Sequence, residues 1–403
     1  MKSGFSGYVK GPVTGLVKQA KFQYRRGMSV LAALRVSKQP VLGFVAIGLF
    51  WGSFAAAVPD IKAKIGVSDA EFGILLLINA VGLVAAMILA PRIGQVLQRR
   101  ALQVSFVGMG LACPLLISMP TPVTFAMAVV VTGFASGLLD VLINTRVAEL
   151  EAKTGTALMN ANHAMFSVAY GVAALTMGMI RDTGQPPASA FWLWAVVIVG
   201  FAGFVKLPAP PTGAGGGAAP RVGFNATILV CGAIVFIAFM TEATVETWSA
   251  LHIERTLHGN PAQGALGPAM LGLTMAVGRF SGAAISARFS DLRIIAVATC
   301  ISFVGCIMAA LAPVPLVAYV GFGILGLGIS VIGPIGLGLV GKSASDDTRA
   351  GAIALASIIG FSGLFVAPAL MGLLAQGFGL RVAYAAFAAG LLLLFPLIAW
   401  LRR

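Results

Sequence analysis

The sequence has little charge for its length. Only 10% of its 403 residues are Asp, Glu, Lys or Arg, whereas 59% are hydrophobic and the mean hydropathy is +0.96. A soluble domain of this size would need far more charged surface. The composition therefore excludes a large soluble protein. It predicts a polytopic membrane protein with no sizeable soluble domain between its apolar segments.

The sequence is also poor in the residues of enzymatic and metal chemistry, with only three His and four Cys. Cys113, Cys231, Cys300 and Cys306 all fall in apolar stretches, and their spacing suits neither a zinc site nor a disulfide framework. No Walker-type GKS or GKT is present, which excludes an ATP-driven pump, and no Ser–His–Asp pattern stands out. We predict no enzymatic activity, no cofactor and no metal site.

Long apolar stretches dominate what is present. A membrane-spanning helix needs roughly 20 mostly apolar residues. Twelve stretches meet this requirement: 41–59, 72–90, 102–119, 123–143, 157–180, 190–207, 225–251, 266–287, 294–312, 316–340, 350–376 and 382–401. The predicted fold class is an all-α integral membrane protein with twelve transmembrane helices in two six-helix bundles.

One low-complexity segment divides these spans six and six. PAPPTGAGGGAAPR, from Pro208, is rich in Gly and Pro and predicts a flexible cytoplasmic linker over 208–223. It separates bundles at 41–207 and 224–403, which follow a basic N-terminal segment, 1–40. A weak repeat supports the division, because GLVAAMILAPRIG from Gly82 aligns with GRFSGAAISARFS from Gly278. Such internal duplication is typical of two-bundle transporters with a site between the halves.

The basic residues follow topology. If the N-terminus is cytoplasmic, 21 of the 27 Lys and Arg residues lie near the inner face, five near the outer face, and Arg279 lies within a span. This bias predicts a multi-pass protein of the inner membrane with both termini cytoplasmic. It also argues against nucleic-acid binding, despite the net charge of +14. The segment 1–40, with eight basic and no acidic residues, is either a disordered tail or a contact for anionic lipid.

Ionisable residues inside spans are costly and often functional. Asp140 and Asn144 lie one helical turn apart in the fourth span, as do His163 and Ser167 in the fifth, where Tyr170 follows. A His–carboxylate pair can take up and release a proton near physiological pH. Asp140 and His163 are therefore candidates for proton coupling. A structural hydrogen bond between the two helices is the alternative.

The seventh span carries two carboxylates one turn apart, Glu242 and Glu246, followed by Trp248. Carboxylates accept hydrogen bonds and an indole offers an apolar face, so this stripe suits a hydroxyl-rich or cationic ligand. Glu242 lies deeper and is a third candidate for proton coupling, with a structural role as the alternative. Glu246 either contacts substrate or reaches the outer headgroups.

Other polar or flexible positions have two or more interpretations. Arg279, among small residues of the eighth span, either extends toward the interface, pairs with an acidic group or holds an anionic substrate. Asn79 and Trp51 either line a central cavity or belong to the core. Gly333 and Pro334 interrupt the glycine-rich tenth span, where we expect either close packing or bending during gating.

Several blocks of sequence carry a family resemblance. The ending Arg92-Ile93-Gly94, repeated in part at Arg288, resembles the loop motif of the major facilitator superfamily. PDIKAKIGVSDAEFGILLLINAVG, the stretch from Asp140 to ANHAMFSVAYG, and ETWSALHI are similar to MosC-like permeases of the rhizopine-transporter type. The chain departs from the superfamily pattern in one respect: Pro91 and Ala287 replace the Asp that normally precedes the motif Arg.

The resemblance implies a monomeric secondary transporter that works by alternating access, is coupled to protons, and moves a small sugar- or cyclitol-like solute. YGVAALTMG stands where drug/proton antiporters of the superfamily carry a glycine–proline motif, which disfavours drug export. Export of amphipathic compounds and a non-transporting sensor or scaffold remain the alternatives. The predicted substrate contacts are Asn79, Asn144, Ser167, Tyr170, Glu246, Trp248 and Trp51. The predicted gating residues are Arg92, Arg279, Arg288, Gly333 and Pro334.

Overall fold

The structure is a computed structural model that describes residues 30–206, 223, 225–345 and 348–403. These residues form fifteen α-helices with short 3₁₀ and π segments. In the N-terminal half the helices are α1 (Val30–Val36), α2 (Lys38–Ile65), α3 (Asp69–Leu77), α4 (Asn79–Leu97), α5 (Ala101–Ala112), α6 (Leu115–Ser118), α7 (Pro122–Thr154), α8 (Met159–Asp182) and α9 (Ala188–Phe201). In the C-terminal half they are α10 (Ala226–Leu251), α11 (Pro261–Ser286), α12 (Asp291–Ala310), α13 (Pro315–Ser343), α14 (Arg349–Leu391) and α15 (Leu394–Leu401).

Helices occupy all twelve predicted spans. Within the described residues, eight continuous helical stretches are long and apolar enough to cross a membrane. Two of them, Asp69–Ser118 and Gly351–Leu401, have 50 and 51 residues and each contain two crossings. The predicted second span is α3 plus α4, and the third is α5 plus α6. The eleventh is the first part of α14, and the twelfth is the rest of α14 plus α15. The shorter helix α9 and the helix α11 complete the twelve.

Local signals set the helix ends. The Ser68 side chain accepts a hydrogen bond from the backbone N–H of Glu71, whose carboxylate accepts one from the Ser68 N–H, and this capping box starts α3. Thr121 starts α7 in the same way. Gly66 and Gly155 end α2 and α7 with φ of 68° and 66°, a left-handed conformation that favours glycine.

The structure bears on three predictions about individual segments. Residues 30–36 of the predicted N-terminal tail form α1, and the first long helix begins at Lys38. Residues 1–29 of that tail, and most of the linker, 208–222, lie outside the described residues. In the tenth span α13 runs unbroken through Gly333 and Pro334 to Ser343, and bending there during gating stays a prediction. The helix α14 is interrupted at Gly379, where φ is 80°, within the predicted connection between the last two spans.

The two halves repeat the same packing. In the N-terminal half α2 packs on α8 and α4 on α7. In the C-terminal half the corresponding helices α10 and α14, and α11 and α13, pack together. A Cβ on Gly82 would collide with the Val130 carbonyl of α7, and one on Gly278 would lie 3.1 Å from the Leu327 carbonyl oxygen of α13. The aligned glycines of the sequence repeat therefore make equivalent close approaches in the two halves.

The halves meet along α8 with α11 and α3 with α14. Gly171 lies against Leu273, and Gly178 against Ala265, so small residues allow α8 and α11 to pack closely. We call the end where α2, α8 and α10 terminate the latch end. The opposite end, which contains Lys206 and Asn225, is the linker end. The helix α3 packs on α14 near the latch end, whereas its continuation α4 packs mainly on α7 of its own half.

Candidate functional site

A buried arginine joins three helices at the interface of the halves. Arg279 Nη2 of α11 lies 3.1 Å from Glu242 Oε1 of α10, and both side chains are at most one tenth exposed. The other terminal nitrogen, Nη1, donates to Ser167 Oγ of α8 at 2.5 Å and to the His163 carbonyl oxygen at 3.5 Å. The ion pair thus belongs to the C-terminal half, and its neutral acceptors belong to the N-terminal half. We call these four residues the central bridge.

The sequence left three interpretations for Arg279, and the structure gives pairing with an acidic group. A buried cation in a membrane helix needs a partner, and Glu242 supplies it from the neighbouring helix. The sequence analysis proposed Glu242 and Ser167 separately, without joining them through Arg279. Their spans are far apart in sequence, so only the packing of α8 against α11 brings them together.

Tyr170 and Glu246 lie beside the central bridge, one on each half. Tyr170 is 1% exposed, its ring contacts Gly272 of α11, and its hydroxyl has no hydrogen-bond partner among the described residues. Glu242 and Glu246 of α10 lie within electrostatic range of that hydroxyl. Glu246 is only partly buried and lies within the electrostatic reach of Glu242 and Arg279. Two carboxylates therefore share this region with one guanidinium.

The predicted Asp140–His163 pair does not form. Asp140 Oδ1 accepts a hydrogen bond from Asn144 Nδ2 at 2.9 Å, within α7. The His163 ring packs against Phe44 of α2 with centroids 4.7 Å apart. The sequence argument treated consecutive helices as packed neighbours, but α8 packs mainly on α2 and α11 rather than on α7. Neither the proton relay nor the structural tie between these two side chains is present.

The other predicted substrate contacts are core or packing residues in this structure. Asn79 lies against Gly133 of α7, inside the N-terminal half, with its side-chain oxygen buried. Trp51 is partly buried between Phe50 and Phe54 in edge-on contacts. Among the described residues, the Asn144 amide donates to Asp140 alone.

Trp248 is fully buried and faces away from the central bridge. Its ring meets the Phe72 ring of α3 edge-on, with ring centroids 5.9 Å apart. Gly372 of α14 packs against the indole, since a Cβ on Gly372 would lie only 3.2 Å from it. Because Trp248 follows Glu242 by six residues, it lies on another face of α10. It packs where the halves meet near the latch end, and its indole N–H has no partner among the described residues.

Of the predicted gating residues, one lies in the central bridge and the others lie outside it. Arg92 and Arg288 are exposed at the linker end, in α4 and just after α11. Gly333 of α13 lies against the Phe239 ring of α10, so close packing explains this glycine. Pro334 is exposed on the same helix. Among these candidates, Arg279 is the one in the central bridge.

An ionic cluster at the latch end was missed by the sequence analysis. Arg181 of α8 lies 2.5 Å from Asp60 of its own half and 2.7 Å from Glu254 of the other half. It also donates to the Ala56 carbonyl oxygen at 2.9 Å, and its side chain is 4% exposed. A Cβ on Gly264 would collide with the Glu254 carboxylate, so the bare backbone of α11 makes room for it.

Asp69 forms the second part of this cluster with the signs reversed. It lies 3.0 Å from Lys62 of its own half and receives a bidentate pair from Arg255 of the other half, at 2.6 and 2.8 Å. Glu254 and Arg255 are neighbours in a π-helical segment, His252–Thr256, that follows α10. We call the six ionic residues Asp60, Lys62, Asp69, Arg181, Glu254 and Arg255 the latch.

The sequence did contain a signal for the latch. The connections after the first and seventh spans carry both signs of charge within a few residues, as at Asp60 with Lys62 and at Glu254 with Arg255. In the charge distribution, the cations of these connections indicated only the membrane topology. Where two bundles come into contact, charged side chains in the connection of one bundle are expected to pair with opposite charges in the connection of the other.

The chain is similar to known transporters along most of its length. The family profile described as Major Facilitator Superfamily matches residues 41–226 and 228–403. An uncharacterized MFS-type transporter of Yersinia pestis is 31% identical over 86% of this chain and 91% of its own length. Membrane protein MosC of Rhizobium meliloti is 28% identical over 83% of this chain and 82% of its own. A crystal structure of a D-xylose-proton symporter shares the fold, with a TM-score of 0.71 and 14% identity over 92% of this chain and 97% of that one.

Proposed function

Because the chain belongs to the Major Facilitator Superfamily, we propose that it is a proton-coupled secondary transporter of a small polar, sugar- or cyclitol-like solute. The central bridge is the observation that carries this proposal, because it places charged and hydroxyl groups from both halves at their interface. Transporters of this architecture bind their solutes near the bilayer midplane between the repeats. The similarity to a D-xylose-proton symporter supports both the solute class and the coupling ion.

The proposed orientation of the protein in the membrane follows from the distribution of its basic residues. The linker end faces the cytoplasm together with both termini, in the inner membrane, and the latch end faces outward. The halves are held together at the latch end by Arg181 with Glu254 and by Asp69 with Arg255. The state described here is then closed to the outside. Because α3 packs on α14 near the latch end while α4 packs mainly on α7 of its own half, the proposed route from the cytoplasm runs between α4 and the first part of α14.

The central bridge links the site to alternating access. Arg279 contacts Ser167 and the His163 carbonyl in the other half, so a solute that binds these acceptors competes directly with an inter-half contact. Glu242 remains with Arg279, since both belong to the C-terminal half. Of the candidates for proton coupling, Glu242 lies in this region and Asp140 lies away from it on α7. The candidates for substrate contact here are Ser167, Tyr170 and Glu246.

The test is solute counterflow and uptake in proteoliposomes. A thermal-shift screen with pentoses, hexoses and cyclitols selects the radiolabelled solute, and a pH-sensitive dye reports proton movement. We expect uptake driven by an imposed pH gradient, with protons moving in the same direction as the solute. Asp140→Asn is expected to retain uptake and Arg279→Ala to lose it. Proton movement opposite to the solute would instead identify an exporter, and no flux with any compound of the screen would contradict the proposal.

A further inference from the structure

We propose that Glu246, rather than Glu242, is the carboxylate whose protonation permits the two halves to change state. This inference rests on the proposed function for its biological meaning, but the structural argument concerns only the interface of the halves. Glu242 and Glu246 lie one turn apart on α10 and differ in their partners. The ion pair to Arg279 compensates the charge of Glu242, and both partners move together within the C-terminal half.

Glu246 has no comparable partner. No hydrogen bond or ion pair joins its carboxylate to another described residue, and it is partly buried, so water in the interface can reach it. Glu242 and Arg279 lie within electrostatic range of Glu246, and so does Tyr170 of α8 in the other half. Arg279 is already neutralised by Glu242 and is bonded to Ser167. The local charge therefore remains that of one excess carboxylate.

An excess carboxylate is tolerated only while water surrounds it. Closing the halves around Glu246 from both sides would remove that water, and an unpaired buried charge is far more costly than a neutral acid. The free-energy cost is lower if Glu246 takes a proton from the water on the open side before the halves close. Glu246 then releases the proton to water after the opposite side opens. Protonated Glu246 can also donate a hydrogen bond to the Tyr170 hydroxyl, whose oxygen has no partner among the described residues.

The experiment measures the two states directly and needs no solute. Spin labels are placed at Val123→Cys and Leu316→Cys, which are exposed at the latch end of opposite halves, in a background with the exposed Cys300 replaced by Ser. Distance distributions are recorded in lipid nanodiscs between pH 5 and 9. We expect the ratio of latch-open to latch-closed protein to change at least about tenfold across this range in the parent protein.

The variants then assign the change to one group. Glu246→Gln is expected to fix the ratio at its low-pH value at every pH, whereas Glu246→Asp keeps the dependence. Asp140→Asn, which removes an intramembrane carboxylate on α7 away from Glu246, is expected to keep it as well, whereas Glu242→Gln frees Arg279 to pair with Glu246 and is expected to weaken it. If Glu246→Gln retained the pH dependence of the parent, or if the parent showed none, the inference would be wrong. If this pattern holds but proteoliposomes show no solute-linked proton movement, the proposed function fails and the assignment of Glu246 stands.

Discussion

At the scale of single residues, the main finding is that the ionisable groups singled out in the spans have a side-chain partner, with one exception. Arg279 forms an ion pair with Glu242, and Asp140 accepts a hydrogen bond from the Asn144 amide one turn away. Glu246 is the exception, and Tyr170 beside it leaves its hydroxyl without a partner among the described residues. Polar groups left without partners at an interface are more informative about function than satisfied ones, because their cost must be offset in another state of the protein.

The pairing of Arg279 with Glu242 predicts strongly non-additive effects of mutation. Removing either charge alone leaves the other buried and unpaired, which costs about 3–5 kcal/mol. We expect Glu242→Gln and Arg279→Gln each to lower the melting temperature in detergent, and the double variant to recover most of the loss. Thermal unfolding of the four proteins measures this coupling. Strictly additive losses would contradict an ion pair between these residues.

Sequence reasoning identified several residues of the central bridge but not its connections. Polar side chains in apolar spans are visible in any sequence, so Glu242, Ser167 and Arg279 could all be selected. Which of them touch depends on the packing of α8 against α11 and α2, which no local pattern encodes. The assumption that consecutive helices are neighbours failed for α7 and α8. It produced the incorrect pairing of Asp140 with His163.

At the scale of elements, the arrangement of ion-pair partners determines which charges of the latch lose a partner when it opens. Each central ion of the N-terminal half has one partner in its own half and one in the other: Arg181 with Asp60 and Glu254, and Asp69 with Lys62 and Arg255. When the latch opens, Arg181 and Asp69 therefore keep a partner. The separation leaves only Glu254 and Arg255 unpaired, at the end of α10, where water replaces their partners.

This arrangement predicts opposite effects for the two acids around Arg181. Glu254→Gln removes the inter-half partner and is expected to raise the ratio of open to closed latch. Asp60→Asn removes the partner that Arg181 keeps, so opening leaves a guanidinium unpaired and the ratio is expected to fall. An effect of about 1 kcal/mol in each case changes the ratio about fivefold.

The same spin-label pair at Val123 and Leu316 reports both ratios at one fixed pH. Lys62→Met provides a matched variant at Asp69. It is expected to lower the ratio of open to closed latch, as Asp60→Asn does, because it also removes the partner from the same half. A rise in the open fraction for Asp60→Asn would mean that Asp60 only tightens the latch, and the exchange of partners would then be wrong.

Gly264 gives a prediction that separates steric from electrostatic control of the latch. A Cβ at this position collides with the Glu254 carboxylate, so Gly264→Ala displaces that group from Arg181 without changing any charge. We expect a higher open fraction, similar to that of Glu254→Gln. Gly108→Ala in α5 is the control, since a Cβ there meets nothing within 4 Å. It is expected to leave the ratio unchanged and to raise helix stability slightly.

At the scale of the whole molecule, much of the fold could be predicted from the sequence. The lengths of the apolar stretches predicted the twelve spans, because the thickness of the bilayer sets the length that every crossing helix requires. The glycine repeat gave the correspondence of the halves, and Gly82 and Gly278 do make equivalent contacts. The break in α14 at Gly379 falls in the predicted connection between the last two spans, but no local pattern indicated that the second and third spans would each consist of two helices. Such interruptions depend on what neighbouring helices accommodate.

The pairing of helices across the interface also follows the two-fold relation. The contact of α8 with α11 and that of α3 with α14 exchange places when the halves are exchanged, as α8 corresponds to α14 and α3–α4 to α11. The halves can therefore rock about an axis between them while each keeps its own packing. Closing the linker end requires opening the latch end, because both are edges of the same two rigid bundles.

Rocking of this kind predicts that a single covalent bond at the latch end arrests the whole molecule. The backbone N–H of Ala70 in α3 donates to Gln376 Oε1 of α14 at 3.2 Å, which places the two positions within one side-chain length of each other across the interface. Ala70→Cys with Gln376→Cys, oxidised to a disulfide in the Cys300→Ser background, is expected to hold the latch closed at every pH. Spin labels at Val96 and Phe289, exposed at the linker end of opposite halves, are then expected to show a single open distance. Reduction of the disulfide should restore two distances, and each single cysteine variant should show both throughout. If the oxidised protein still showed a second linker-end distance, the two ends would open independently, and coupling through rigid halves would be excluded.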